Sequence, residues 1–513
     1  MVGHSNLGLA DAFRAQEADG KLRYYGIRHE GAAAFAISGY GKLTGHPAAA
    51  LTIAGPGATN LLTGLWDAKV DGAPALALTG QVHDQVVGVH AFQDIDLEAA
   101  FEAVAEFSET VHLTSDHALL MTQAIKTSIL KRGVGHLVFP DNVQPRPAAE
   151  DAKAYGPAGR MADLAVGPPP SAVAEASALL KGAKRPMIIV GYGALAGMEQ
   201  VIGLAETLGA PIATTFKAKG QIGDDHPLAA GVMGRSGTPI ASWFMNEADL
   251  LLVFGASFSD HTGIYEGAPT IQVDTDPMRL AKRHPVTVPV MGDVAVTAAL
   301  LNAEMTSGGA AATDQRGEVA ERWALWRSEK DRRVGEDRGK GVSAAALFEA
   351  LTKAAPADAI LPVDVGNNTY SFGRYFEPTG QQRVLMSGYL GSIGFAFPAA
   401  MGAWAATQEP GPYKGRKVIS VSGDGGFGQY AMEFTTAVKY GMNITHVLMN
   451  NSELGKISKE QKAAEFEVWQ TSLVNPSFAG FARSCGGMGA ALAKAIAHDG
   501  PSLIDVITDA ELL

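Results

Sequence analysis

Short, unbroken apolar runs recur along the whole chain, each closed by a small-residue or acidic turn, and this constrains the fold more than any other feature. They fall at residues 48–54, 75–79 and 135–139, then 186–190, 250–254 and 270–274, and finally 359–364, 418–422 and 444–449. Such runs are too short for core-spanning helices and show no polar alternation, as expected of strands buried on both faces. Helical patterns separate them, so each run is read as a strand of a parallel sheet joined by crossover helices. For 513 residues, at about 150 residues per domain, three such sheets are expected. The fold class is therefore α/β, with three doubly wound parallel-sheet domains at 1–150, 165–305 and 340–513. A Pro-rich linker at 167–170 separates the first two, and a charged helix at 316–333 precedes the third.

Composition narrows the class of function. The 60 glycines and the alanine-rich stretches suit close helix-on-sheet packing, and a formal charge of −12 offers no basic surface for nucleic acid. The single cysteine, Cys485, leaves no intrachain disulfide framework or cysteine zinc site and suits a reducing compartment. No apolar run is long enough for a membrane span, so a cytoplasmic location is expected.

Chemistry concentrates where runs end. Gly423-Asp424-Gly425-Gly426 follows one buried strand and Asn450-Asn451 follows the next, placing a carboxylate and amide oxygens at adjacent strand ends, where open α/β sheets bind ligands. Magnesium takes hard oxygen ligands together with phosphates, and glycine backbone N–H groups can approach a diphosphate closely. A Gly-Asp-Gly turn alone is usually no more than a tight turn. Its pairing with Asn-Asn resembles the magnesium-diphosphate signature of thiamine-diphosphate (ThDP) enzymes. The resemblance implies magnesium held by the side chains of Asp424 and Asn451 and the Glu453 carbonyl, with Gly423, Gly425 and Gly426 lining the diphosphate.

Further motifs keep the family's order. Glu30 opens a small-residue helix; alone it would only match the helix dipole, but the resemblance implies a glutamate that activates the cofactor's aminopyrimidine. Gly55-Pro56-Gly57-Ala58-Thr59-Asn60 is similar to the pyrimidine-domain turn, with Pro56 and Asn60 as cofactor contacts, and His4, Phe92 and Gln93 fall where the family places groups near the reacting carbon. Gly366-Asn367-Asn368 resembles the diphosphate cap, and Ser392-Ile393 the loop under the pyrimidine. Each of these turns could be purely structural in isolation.

Within the family, Asn451–Gln461 is most similar to pyruvate oxidases: Ile457 stands where an aliphatic residue bends the cofactor, and Glu460 where a glutamate faces substrate. Both also fit ordinary core and a solvated helix face. The Met-Val and Gln-Trp-Gln pattern of acetolactate synthases is absent. The segments 214–220, 255–260, 274–277 and 282–284 resemble flavin-domain segments, and Gly191-Tyr192-Gly193 after a strand fits a dinucleotide turn without the full Gly-x-Gly-x-x-Gly spacing, so FAD is a candidate cofactor, although Ser257 replaces an arginine of several flavin-containing members. The expected activity is decarboxylation of pyruvate or a similar 2-oxo acid. The alternatives are an acetolactate synthase-like carboligase or lyase and a catalytically silent ThDP-binding paralogue. The family pattern implies a homodimer or dimer of dimers (a homotetramer) with the active site at the interface. It also leads one to expect a first strand before Met1, and another strand after Gly489, that this sequence lacks.

Overall fold

The computed structural model describes residues 1–147, 158–259 and 261–512. The first sheet has the order β1 (Ala49–Thr52), β2 (Ala75–Gln81), β4 (Val134–Pro140), β3 (Ala105–Thr110). The central sheet has six strands, β10 (Val288–Met291), β9 (Thr270–Asp274), β8 (Leu250–Phe254), β5 (Pro186–Val190), β6 (Ile212–Thr214) and β7 (Ala229–Val232). The third, also of six, runs β12 (Arg383–Leu385), β11 (Ile360–Pro362), β13 (Val418–Gly423), β14 (Ile444–Asn450), β16 (Ser502–Ile507), β15 (Met488–Gly489). The described pairings are parallel, and β2, β5, β8 and β14 are buried along their whole length. This matches the unbroken apolar runs of the sequence. Beyond Gly489 the chain passes into the short helix Leu492–Ala497, so β15 is a two-residue edge.

The described residues divide into two compact units, one holding the first sheet and most of the third and the other the central sheet. The central sheet's core is mostly aliphatic, including Ile188, Val190, Leu252 and Leu301, with Phe254 among them. In the other unit the helix Glu30–Thr44 crosses the helix Ala396–Thr407 at glycines: a Cβ on Gly39 would stand 2.7 Å from the Ala399 carbonyl oxygen, and one on Gly402 only 1.8 Å from that of Ala36. Only glycine permits this backbone approach, and it brings Phe35 and Leu43 into the core of Phe395, Phe397 and Phe434. Among the described residues no helix is long and apolar enough to cross a membrane.

Candidate active site

In its own numbering the third sheet has the order 2-1-3-4-6-5, which reverses between β11 and β13, the place where open α/β sheets bind ligands. β13 delivers Asp424 there, and β14 delivers Asn450 and Asn451. Asp424 is 3% exposed; its Oδ1 accepts from Gly425 N at 3.0 Å, and its Oδ2 accepts from Ser452 N at 2.7 Å and Asn475 Nδ2 at 2.7 Å. Burial pushes the carboxyl pKa up, and these hydrogen bonds oppose it. The chain reverses at Ser452, whose φ of 56° is left-handed, and Asn451 Oδ1 accepts from Glu453 N at 3.1 Å. A carboxylate and amide oxygens fixed in this way suit a hard cation. Asn475 also donates to Asn450 Oδ1 at 3.0 Å, while Asn450 donates to Asp505 at 3.0 Å. The sequence reading passed over Asn475, whose only local signal is an Asn-Pro pair after the helix Gly455–Ala463.

On the other side of the switch point, Asp364 is buried and accepts from Val365 N at 2.8 Å and from Gly394 N at 3.0 Å. Burial drives its pKa up to about 7 despite these donors. Asp364 therefore fixes the end of the loop that carries Ser392 and Ile393. Ser392 N donates to Ser387 Oγ at 3.0 Å, and the Ile393 side chain is exposed. Gly366 has φ of 133°, which favours glycine. In the second unit, Asn367 and Asn368 open the helix Asn367–Tyr375, and Asn367 Nδ2 is buried with no hydrogen-bond partner.

Glu30 is the buried first residue of its helix, capped by His29, whose Nδ1 accepts from Gly31 N at 3.0 Å. Its Oε2 accepts from Asn60 Nδ2 at 3.1 Å, so the turn beyond β1 reaches the carboxylate. Pro56 starts the short helix Pro56–Thr59 in that turn. Gly55, at φ 60°, abuts Gln93, whose Oε1 is buried without a partner. Phe92 is 79% exposed, with its ring 6.0 Å from that of His4. A residue that sequence reasoning missed, buried Glu433, accepts from Arg28 N at 3.0 Å and His29 N at 2.8 Å, immediately before Glu30.

The helix Gly455–Ala463 sits on a segment closed at its base by Leu454 N donating to Thr471 O at 2.8 Å and Leu473 N to Ser452 O at 2.7 Å. Ile457 is 45% exposed, and Glu460 faces solvent, paired with Lys456 at 2.7 Å. Neither touches the Asp424 or Glu30 hydrogen-bond networks just described. Phe466, Trp469 and Val474 on the same segment are exposed.

The central sheet, counted alone, has the order 6-5-4-1-2-3, the doubly wound dinucleotide-binding arrangement, with its switch point between β5 and β8. There Gly191 and Gly255 meet backbone to backbone: a Cβ on Gly191 would lie 2.2 Å from the Gly255 oxygen. Gln221 donates to the Tyr192 carbonyl at 3.5 Å while its Oε1 is buried without a partner, and His284 Nε2, on a ring 6.1 Å from Phe258, is buried likewise. Asp260 lies outside the described residues.

Three family models match the chain: the N-terminal TPP (thiamine pyrophosphate) binding domain of thiamine pyrophosphate enzymes over residues 1–100, their central domain over 173–301 and their C-terminal TPP binding domain over 364–506. A Bacillus subtilis protein described as thiamine pyrophosphate-containing is 35% identical, over 95% of this chain and 85% of its own length. Acetolactate synthase isozyme 2 large subunit of Escherichia coli is 30% identical over 96% of this chain and 89% of its own. The acetolactate synthase of Arthrospira platensis is 28% identical over 98% and 90%.

Proposed function

Because the chain belongs to the thiamine pyrophosphate enzyme family and is a ThDP-dependent 2-oxo-acid enzyme, we propose that it decarboxylates pyruvate or a similar small 2-oxo acid in the manner of pyruvate oxidases. The observation that carries this reading is the gathering of Asp424 and Asn451 at the reversal of strand order. The buried, unpartnered Gln93 Oε1 and Asn367 Nδ2 fit polar groups that complete their hydrogen bonding on a ligand. When bound, ThDP supplies the electron sink that lets a 2-oxo acid lose carbon dioxide.

The protein's share is positioning and proton handling. Residues 340–513 would bind the diphosphate: Asp424, Asn451 and the Glu453 carbonyl would hold magnesium, Gly423, Gly425 and Gly426 would offer backbone N–H groups, and Gly366, Asn367 and Asn368 would supply the cap that the family resemblance implies. Residues 1–150 would bind the pyrimidine, with Glu30 holding a proton at its ring nitrogen and Pro56 and Asn60 shaping the turn. Ser392 and Ile393 would support the ring, and Ile457 would be the aliphatic residue that shapes the cofactor. His4, Phe92 and Gln93 line the reacting carbon, and Glu460 exchanges protons with substrate, which requires it to leave Lys456.

Oxidising the two-carbon product to the acid level releases two electrons, and FAD in the central domain, residues 165–305, would accept them. Gln221 Oε1 and His284 Nε2, buried without partners beyond the carboxyl ends of the central strands, fit a nucleotide there. A second reading, a carboligase that joins the two-carbon unit to a carbonyl acceptor, is favoured by the acetolactate synthase relatives. The enzyme would act in the cytoplasm as a homodimer or dimer of dimers.

Turnover of a panel of 2-oxo acids with magnesium and ThDP, read as carbon dioxide release, tests the proposal alongside the visible spectrum of the purified protein. Pyruvate should give the highest kcat/KM and a flavin spectrum should be present. Carbon–carbon-bonded products without flavin would select the carboligase. ThDP binding without turnover of any acid would leave a silent paralogue.

A further inference from the structure

Two helices of the first domain bury three charged side chains that no step above uses. Lys42 and Ser38 lie one turn apart on the helix Glu30–Thr44, and Asp67 and Asp71 one turn apart on the helix Leu62–Asp71. Lys42 Nζ lies 2.6 Å from Asp67 Oδ2 and 2.8 Å from Asp71 Oδ2, with the lysine side chain 4% exposed and both aspartates fully buried. Ser38 Oγ donates to Asp67 Oδ2 at 2.6 Å. Like charges at this helical spacing destabilise a helix, and a buried ionic cluster is often no more stabilising than apolar residues of the same volume. Helix stability therefore does not account for the triad.

Three of its outward bonds go to one loop of the same unit. Asp71 accepts from Gly388 N at 2.8 Å and Tyr389 N at 3.2 Å. Lys42 donates to the Met386 carbonyl at 2.8 Å, and its ammonium sits 4.3 Å from the centre of the Phe395 ring. With Gly394 N bound to Asp364 at 3.0 Å, both ends of the loop are tied down, while Tyr389, Leu390 and Ile393 at its tip are exposed. Backbone N–H groups held by an ionised carboxylate form the strong kind of hydrogen bond.

We propose that Lys42, Asp67 and Asp71 are positioning residues that hold the Gly388–Ile393 loop in the shape that receives the cofactor's pyrimidine ring. The inference rests on the ThDP reading. It adds a function for three residues that touch neither metal nor substrate: Asp71 fixes the loop, Lys42 fixes Asp71, and Asp67 with Ser38 fixes Lys42. The helix Glu30–Thr44 then serves cofactor chemistry at both ends.

The test uses the full-length protein with Asp71→Asn, Lys42→Met and the conservative Lys42→Arg. Amide hydrogen exchange at Gly388 and Tyr389 reports the loop directly. Titration with magnesium-ThDP against magnesium-pyrophosphate separates the ring end of the site from the diphosphate end. Asp71→Asn should speed exchange at the two amides and weaken ThDP by about tenfold while leaving pyrophosphate unchanged. Lys42→Arg should stay near wild type, and Lys42→Met should follow Asp71→Asn; if Lys42→Met does not fold, Asp71→Asn decides. Wild-type exchange in Asp71→Asn, or a parallel loss of ThDP and pyrophosphate, overturns the proposal. Should the wild-type protein bind no ThDP, the cofactor reading fails and the exchange rates still decide whether the triad holds the loop.

Discussion

Glu30 is gripped from both directions: Asn60 holds its carboxylate, and Glu433 holds the two backbone N–H groups that precede it. A side chain fixed in this way costs little to reorganise when a ring nitrogen arrives. Glu30→Gln keeps the shape and removes the shared proton. We expect ThDP affinity to change little and proton exchange at the thiazolium carbon, followed by NMR, to slow at least about 100-fold. Unchanged exchange would remove Glu30 from the mechanism. Asp424→Ala should act on binding instead. Its carboxylate organises Gly425, Ser452 and Asn475 around the proposed metal, so ThDP affinity at fixed magnesium should fall by roughly 100-fold in a titration of the apo variant. Wild-type affinity would exclude the metal assignment. Glu30, Asp424 and Asn451 were legible because each sits in a short motif. Glu433, Asp71 and Asn475 were not, because each acts on a partner distant in sequence and nothing beside them marks the contact.

At the scale of elements, the strands legible in sequence include fully buried ones of five residues or more, such as β5 and β8, whereas β6 and β7, equally buried but only three and four residues long, were not read. The edge strand β3 was missed: Ala105–Thr110 mixes polar and apolar residues because it is only partly covered, so no apolar run announces it. Inside the third sheet, β13 and β14 are joined by a polar clip as well as by their backbone. Buried His446 sits between Ser420 Oγ at 2.7 Å and Ser422 Oγ at 3.0 Å, and burial lowers its pKa from 6.5 to about 3. His136 in β4 is lowered likewise to about 3. A depressed pKa contributes stability above the unfolded value near 6.5 that is lost as pH falls toward 3, because the unfolded chain takes up the proton first. Between pH 7 and pH 5, well above the range where most carboxylates titrate, each histidine should cost up to about 2 kcal/mol. His446→Leu should be less stable at pH 7, with two hydroxyls left unpartnered, yet show a smaller fall in its urea midpoint between pH 7 and pH 5 than the wild type. An equal fall in both would mean that His446 is not held neutral.

For the whole molecule, the placement of Glu30 relative to Asp424 bears on assembly. Asp424 begins the helix Asp424–Tyr430, and Glu30 lies near that helix's other end: the Tyr430 ring is 5.4 Å from the ring of His29, and Glu433 binds the Arg28 and His29 amides. Seven helical residues put about 10 Å of axis between the metal-side and Glu30-side ends. Glu30 is thus anchored behind the helix whose opposite end faces the proposed metal, which favours a model in which it serves a different cofactor from the one Asp424 holds. Phe92, Ile457, Phe466, Trp469 and Val474 are exposed and, in that model, would meet a second copy of the chain. A two-fold pair closes such an arrangement with two equivalent sites. Each site would then take Glu30 from one subunit and Asp424 from the other. Mixing inactive Glu30→Gln subunits with inactive Asp424→Ala subunits should therefore restore activity, because a mixed dimer contains one site with both residues intact. Re-equilibrated mixtures, shown by mass to have exchanged subunits, should recover up to about one quarter of wild-type activity, since half the dimers are mixed and each has one working site of two. If exchange is complete and no activity returns, the two residues act within one chain and the shared-site arrangement is wrong.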